Sequence, residues 1–216
     1  MVALGFGFGP VFAKAGNGNY IEFLIPGIIS MSVLFTALFS GVEVIWDKQF
    51  GFLKETLVAP ISRLQIMIGR TLGGATVATL QGTIVFLISL LVGFRPIGWW
   101  GLPGAWGIMF LMALLFTALG TAIASVLEDM QGFQLIMNFL VMPLFFLSGA
   151  LFPLNGVPPA LAAVAAADPV SYGIDGMRVL LTGSAHFGIV TDLLILVTIT
   201  AILTTIGSYL FSRIQI

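Results

Sequence analysis

Five stretches of this chain, about 23–45, 71–93, 104–126, 134–152 and 187–211, are each apolar over the roughly 20 residues that a helix needs to cross a bilayer. Each ends at polar or turn-forming residues, such as Asp47-Lys48, Arg95-Pro96, Glu128-Asp129 and Ser212-Arg213. Only 8% of the residues are charged and 59% are hydrophobic, whereas a soluble domain carries about a quarter charged residues. Lipid is the natural solvent for such a surface, and the chain reads as an all-α integral membrane protein. It shows no internal repeat and no linker, so residues 1–216 form a single transmembrane domain. A sixth apolar piece, "MVALGFGFGP" at 1–10, is too short to span and lacks the basic start of a signal peptide. It reads as the outer end of a first helix only partly present, its beginning missing from this chain.

The same composition excludes several chemistries. There is no cysteine, which removes disulfides, thiolate metal sites and cysteine nucleophiles. One histidine, His186, cannot build a multi-histidine metal site. A net charge of −1 leaves no basic stripe for a nucleic-acid backbone. No paired carboxylates or buried Ser/His set suggest a membrane enzyme, so no catalytic residue and no metal ligand is assigned.

Lysine and arginine placement orients the spans. With the 46–70 loop inside, Lys48, Lys54, Arg63, Arg70 and Arg213 are cytoplasmic, and Lys14, Arg95 and Arg178 lie outside. The expectation is a multi-pass protein of the cell (plasma or inner) membrane, with the 46–70 loop and the C-terminus cytoplasmic. The connection "FPLNGVPPALAAVAAADPVSYGIDGMRVLLTGSAHF" then lies outside, broken by Pro153, Pro158, Pro159 and Pro169. Its two helical pieces, about 159–167 and 170–182, reach only ~14 and ~20 Å, too short to cross. They predict a re-entrant or interfacial hairpin, whose irregular backbone must be covered by protein or line a watery cavity.

Half of the basic residues gather in and just beyond "WDKQFGFLKETLVAPISR" at 46–63. From Asp47 the pattern is helical, with Phe50, Leu53 and Leu57 on one side and Lys48, Lys54 and Glu55 on others. Ala59-Pro60 ends that helix. "SRLQ" at 62–65 then matches a capping box that opens the next span. Periodicity and charge fit two roles for this element: an interfacial helix in the headgroups, or a docking element for a cytoplasmic partner.

The stretch "EVIWDKQFGFLKETLVAPISRLQIMIGRTLGG" (43–74) resembles the loop after the second span of ABC-2 type transporter permeases. "MPLFFLSGALFPLNGVPPAL" (142–161) followed by "ADPVSYGIDGMRVLLTG" (167–183) resembles the fifth span and outer hairpin of that family. The resemblance covers essentially the whole chain through the order and spacing of these motifs. The departure is at the start, where family members carry an amphipathic helix and a complete first span.

The resemblance implies a six-helix transmembrane domain that pairs with a second permease, as a homodimer or pseudo-dimer. It also implies two ABC ATPase subunits as partners, on which ATP and Mg reside. This chain has no G-x-x-x-x-G-K-[ST] P-loop and carries no cofactor of its own. The family's loop after the second span is a coupling helix seated in the ATPase. That assigns Asp47, Lys48, Phe50, Phe52, Lys54, Glu55 and Thr56 as contacts, with a phenylalanine as anchor and Ser62 joining the loop to the following span. Pro153, Pro169, Asp175 and Arg178 are the hairpin or gate residues. The implied function is outward transport of a drug-like or lipid-like substrate. The alternatives are export of a polysaccharide or lipid-linked glycan, and a non-transporting scaffold.

The remaining polar residues invite structural roles. Glu43 pairs with Lys48 or snorkels, Asp192 is solvated at the interface, and Asp175 and Arg178 form an i, i+3 pair. Asn138 and Gln134 line a cavity or bond between helices. Trp99, Trp100 and Trp106 belong to an aromatic belt. Gly69, Gly73, Gly74 and Ala78 permit close helix approach.

Overall fold

The computed structural model describes residues 7, 19–52, 60, 62–127 and 129–212, and all regular structure among them is helical. The helices are α1 (Tyr20–Phe39), α2 (Val42–Phe50), α3 (Arg63–Leu91), α4 (Leu102–Val126), α5 (Met130–Leu147), α6 (Pro159–Ala167), α7 (Pro169–Thr182) and α8 (Ile189–Ser212), with a 3₁₀ turn at Trp99–Gly101. Five elements are long and apolar enough to cross a membrane: Tyr20–Phe50, Arg63–Leu91, Trp99–Val126, Met130–Leu147 and Ile189–Phe211. The partial first span at 1–10 lies outside the described residues.

Local chemistry sets most boundaries. Asn19 caps α1 by accepting the Ile21 N–H at 3.0 Å. Ser62 opens α3 with a full capping box: its hydroxyl accepts the Gln65 N–H, and its own N–H donates to Gln65 Oε1 at 2.9 Å. Asp129 caps α5, so that span begins at Met130 and ends at Leu147 instead of running over 134–152. Gly149, at φ +75°, turns the chain away there, in a conformation glycine adopts without strain.

The first described span is two rods. Between Phe39 and Val42 the helix is interrupted, and here the backbone of Gly41 lies against that of Gly120 in α4. A Cβ on Gly41 would overlap the Gly120 carbonyl, and one on Gly120 would overlap the Leu38 carbonyl. This crossing, absent from the small residues singled out in the sequence, brings α1 and α4 together at the centre of the bundle. Within its apolar stretch α4 is 67% buried and α8 only 11%, so α4 is the hub and α8 is largely left to lipid. On α3, Gly74 and Ala78 face neighbouring helices as expected. Gly69 and Gly73 instead face open space.

The hairpin forms as its prolines dictate, since α6 and α7 both start at a proline in the first turn. Helix α7 is embedded among α1, α4 and α8, while α6 is exposed except at half-buried Leu161 and buried Ala165. The hairpin and the exposed Trp99 and Trp100 share one end of the bundle, where the Ile97 N–H donates to Leu181 O at 3.0 Å. Residues 46–52 and 62–70 lie at the other end.

Candidate functional site

At the loop end, α2 carries Trp46 and Phe50 four residues apart, and Phe52 follows. Their exposures are 50%, 72% and 57%, high for rings of this size on a folded chain. Gly51 stops α2 in the left-handed conformation at φ +83°. The amphipathic pattern from Asp47 to Leu57 is therefore not one helix, because the spanning helix runs on through Asp47 and ends at the Phe50-Gly51 step. Lys54, Glu55 and Thr56 lie outside the described residues.

Two charges of α2, Asp47 and Lys48, are tied to neighbouring spans. Asp47 forms an ion pair with Arg70 in the second turn of α3. Lys48 Nζ donates to three carbonyls at the end of α4: Ala124 at 2.9 Å, Ser125 at 2.7 Å and Leu127 at 3.1 Å. Those carbonyls have no partner within their own helix, and a cation there also meets the negative end of the helix dipole. The Glu43–Lys48 pairing is thus replaced, and Glu43 stands exposed on the wall of a groove of about 530 Å³ between α2 and α3. The loop end is a rigid platform, pinned to two spans by Asp47 and Lys48, that presents three aromatic rings. Trp46 was missed in the sequence reading, although its i, i+4 spacing to Phe50 marks a shared face.

At the hairpin end, Asp175 and Arg178 part company. The Asp175 carboxylate accepts the backbone N–H groups of His186, Phe187 and Gly188 at 2.7–3.2 Å, fixing the turn that leads into α8. Arg178 Nη2 donates to Gly149 O at 3.1 Å and Phe23 O at 3.5 Å, and the guanidinium lies 4.1 Å over the Phe23 ring. The i, i+3 pair does not form because each group finds partners that only the tertiary fold supplies. Pro169 starts α7, and Pro153 sits in the turn after α5. Asp192 is fully buried, and neither carboxylate oxygen has a partner. It is not solvated at the interface, because α7 crosses the first turn of α8 where Gly176 leaves room for it. Gln134 and Asn138, expected in a cavity or between helices, lie on an exposed face of α5.

Asp168 links the two hairpin helices, ending α6 and capping α7 by accepting the Val170 N–H at 2.9 Å. It is buried, its second oxygen has no partner, and burial pushes its pKa up to about 7. The folded chain therefore holds a proton that the unfolded chain releases near pH 4, and stability falls as pH rises from about 4 to about 7. Asp168→Asn keeps the cap and removes the buried charge. The variant should gain thermal stability over the parent progressively from about pH 4 to about pH 7 and level off above that, by at most on the order of 4 kcal/mol. A melting-temperature difference that does not change with pH in detergent would count against this.

A sequence model of the family described as ABC-2 type transporter matches residues 1–182. The chain is 26% identical over 185 residues to Nodulation protein J of Rhizobium leguminosarum bv. viciae, covering 85% of this chain and 71% of that protein. It is 33% identical to the Putative transport permease ycf38 of Pyropia yezoensis, covering 76% of this chain and 57% of that one. To the Inner membrane transport permease YadH of Escherichia coli K12 it is 28% identical, covering 83% and 70%. The chain thus spans between about half and three-quarters of the length of these relatives.

Proposed function

The chain belongs to the ABC-2 type transporter family, and from that premise we propose that it is the membrane-spanning permease subunit of an ATP-driven exporter. In this reading the 46–70 loop and the C-terminus are cytoplasmic, the hairpin faces outward, and the membrane is the cell membrane. Two ABC ATPase subunits bind ATP and Mg and dock on the loop end, and the permease moves a drug-like or lipid-like substrate outward. The carrying observation is the exposed Trp46, Phe50 and Phe52 on a platform that Asp47 and Lys48 fix to the spans. Aromatic anchors held rigidly are what a docking partner rewards.

The platform would pass closure of the ATPase pair directly to α3 and α4, the helices that Arg70 and the 124–127 carbonyls belong to. Pairing with a second permease is supported by Gln134 and Asn138, a polar i, i+4 pair on the exposed face of a spanning helix. Such a face needs a neighbour other than lipid, whether a second subunit or an aqueous path between subunits.

The test is co-expression with the candidate ATPase, followed by affinity capture through a tag on the permease. Reversing the charges at Lys54 and Glu55, or replacing Phe50 and Phe52 by alanine, should lower the captured ATPase several-fold while leaving permease yield unchanged. Full capture and full transport after deletion of 47–58 would sink the docking assignment.

A further inference from the structure

The hairpin end holds a cavity of about 320 Å³ that the transport reading leaves unused. Its walls are the start of α1, the turn after α5, one face of α7 and the 184–187 loop, with Glu22, Phe23, Asn155, Ser171, Arg178 and His186 among the lining residues. It lies at the level of the exposed Trp99 and Trp100, the depth at which aromatic side chains mark a bilayer surface.

Arg178 is the group that needs explaining. A guanidinium offers five N–H donors, and here only Nη2 is engaged, by two backbone carbonyls. Nε is buried without a partner. Among the described residues no carboxylate forms an ion pair with it; Asp175, which lines the same cavity and favours its charged form, already accepts three backbone N–H groups. Burial presses its pKa down to about 10, which still leaves it cationic at neutral pH. A half-buried guanidinium whose nearest carboxylate is occupied elsewhere keeps donors free, and a bidentate acid is the partner its planar fork fits best. The positive end of α1, a helix of 20 residues, opens on the same cavity and favours the same sign. Two carboxylates oppose it: Glu22 on the rim, which is exposed and accepts from Asn19 Nδ2 at 3.3 Å, and Asp175, whose oxygens are held by the 186–188 backbone N–H groups.

We propose that this cavity binds an acidic group, a phosphate or carboxylate, with Arg178 as its recognition cation. The group is either the headgroup of an amphiphile in the adjoining leaflet or a free anion. Phe23, whose ring lies under the guanidinium, positions the arginine and closes the apolar side of the site. The polar side chains of Asn155, Ser171 and His186 supply further hydrogen-bonding groups toward the ligand.

The test uses the full-length permease in neutral detergent and titrates dioctanoyl phosphatidic acid, dioctanoylglycerol and inorganic phosphate, read by tryptophan fluorescence and by thermal shift. Phosphatidic acid should bind saturably and dioctanoylglycerol should not. Arg178→Gln should weaken phosphatidic acid about 10- to 100-fold, Arg178→Lys should weaken it less, and Glu22→Gln should tighten it about threefold. Inorganic phosphate competing at equal affinity identifies the source as a free anion. Competition only by the acylated compound identifies a headgroup. Equal binding of the neutral glyceride, or an Arg178→Gln affinity within twofold of the parent, overturns the site. If Arg178→Gln fails to accumulate, Glu22→Gln decides alone, and unchanged or weaker binding of phosphatidic acid rejects the proposal.

Discussion

Replacing Gly120 with valine is expected to prevent the protein from accumulating as a folded, monodisperse species in detergent. The position has no slack: any Cβ there enters the space of the Leu38 carbonyl, and the facing Gly41 meets the Gly120 carbonyl in the same way. These are backbone atoms, so no rotamer change relieves the overlap and the two helices must separate. They are α1 and α4, whose contact lies at the centre of the bundle. Ordinary overpacking in a core costs about 1–3 kcal/mol, and forcing two backbones apart should exceed that range, because the packing that holds membrane helices together depends on close approach. Gly69→Val and Gly73→Val are the controls, since nothing lies within 4 Å of a Cβ at either position. Size-exclusion profiles and unfolding temperatures of the three variants provide the measurement. A Gly120→Val protein that elutes and melts like the parent would show that the crossing is not what holds the bundle together.

Replacing Lys48 with methionine should separate docking from transmission. The aromatic rings of the platform remain, so ATPase capture should persist. The methionine cannot donate to the Ala124, Ser125 and Leu127 carbonyls, and the tie between α2 and the end of α4 is lost. Hydrogen bonds from a charged donor contribute about 1.5–3 kcal/mol each, and a cation at a helix C-terminus adds up to about 2 kcal/mol. These contributions overlap and do not simply sum. Transport into inverted vesicles should fall at least about tenfold while the ATPase stays bound, and amide exchange at 124–127 should accelerate. Wild-type transport together with accelerated exchange would mean that α4 does not carry the motion.

What the sequence made legible is what short-range chemistry decides. Pro159 and Pro169 announced the two hairpin helices, and Ser62 with Gln65 announced the start of α3 before any neighbour was known. Gly51 is an equally local stop signal, but the apolar period of Phe50, Leu53 and Leu57 runs across it and masks it. The misread residues are those whose partners lie far along the chain. Lys48 serves carbonyls 76–79 positions away, and Arg178 serves one 155 positions away. Neither spacing nor composition points to such partners. Asp192 shows the same limit: its place one turn inside a span suggested access to water, and only the lie of α7 across it removes that access.

The interruption at Ser40–Gly41 gives the first described span the mechanics of a hinge. Helix α2, nine residues long, is a short arm of about 13 Å, and its pivot is the point where Gly41 bears on Gly120. Under the proposed docking, a load applied at Phe50 would act at the tip of that arm, where Lys48 and Asp47 tie it to the ends of α4 and α3. Helix α1, beyond the pivot, is the long arm, and its far end at Phe23 lies beneath Arg178 of the hairpin. Because the helix is broken at the pivot, the short arm can tilt without turning the long one, and its load reaches the hairpin end through the packing of α3 and α4 on α1.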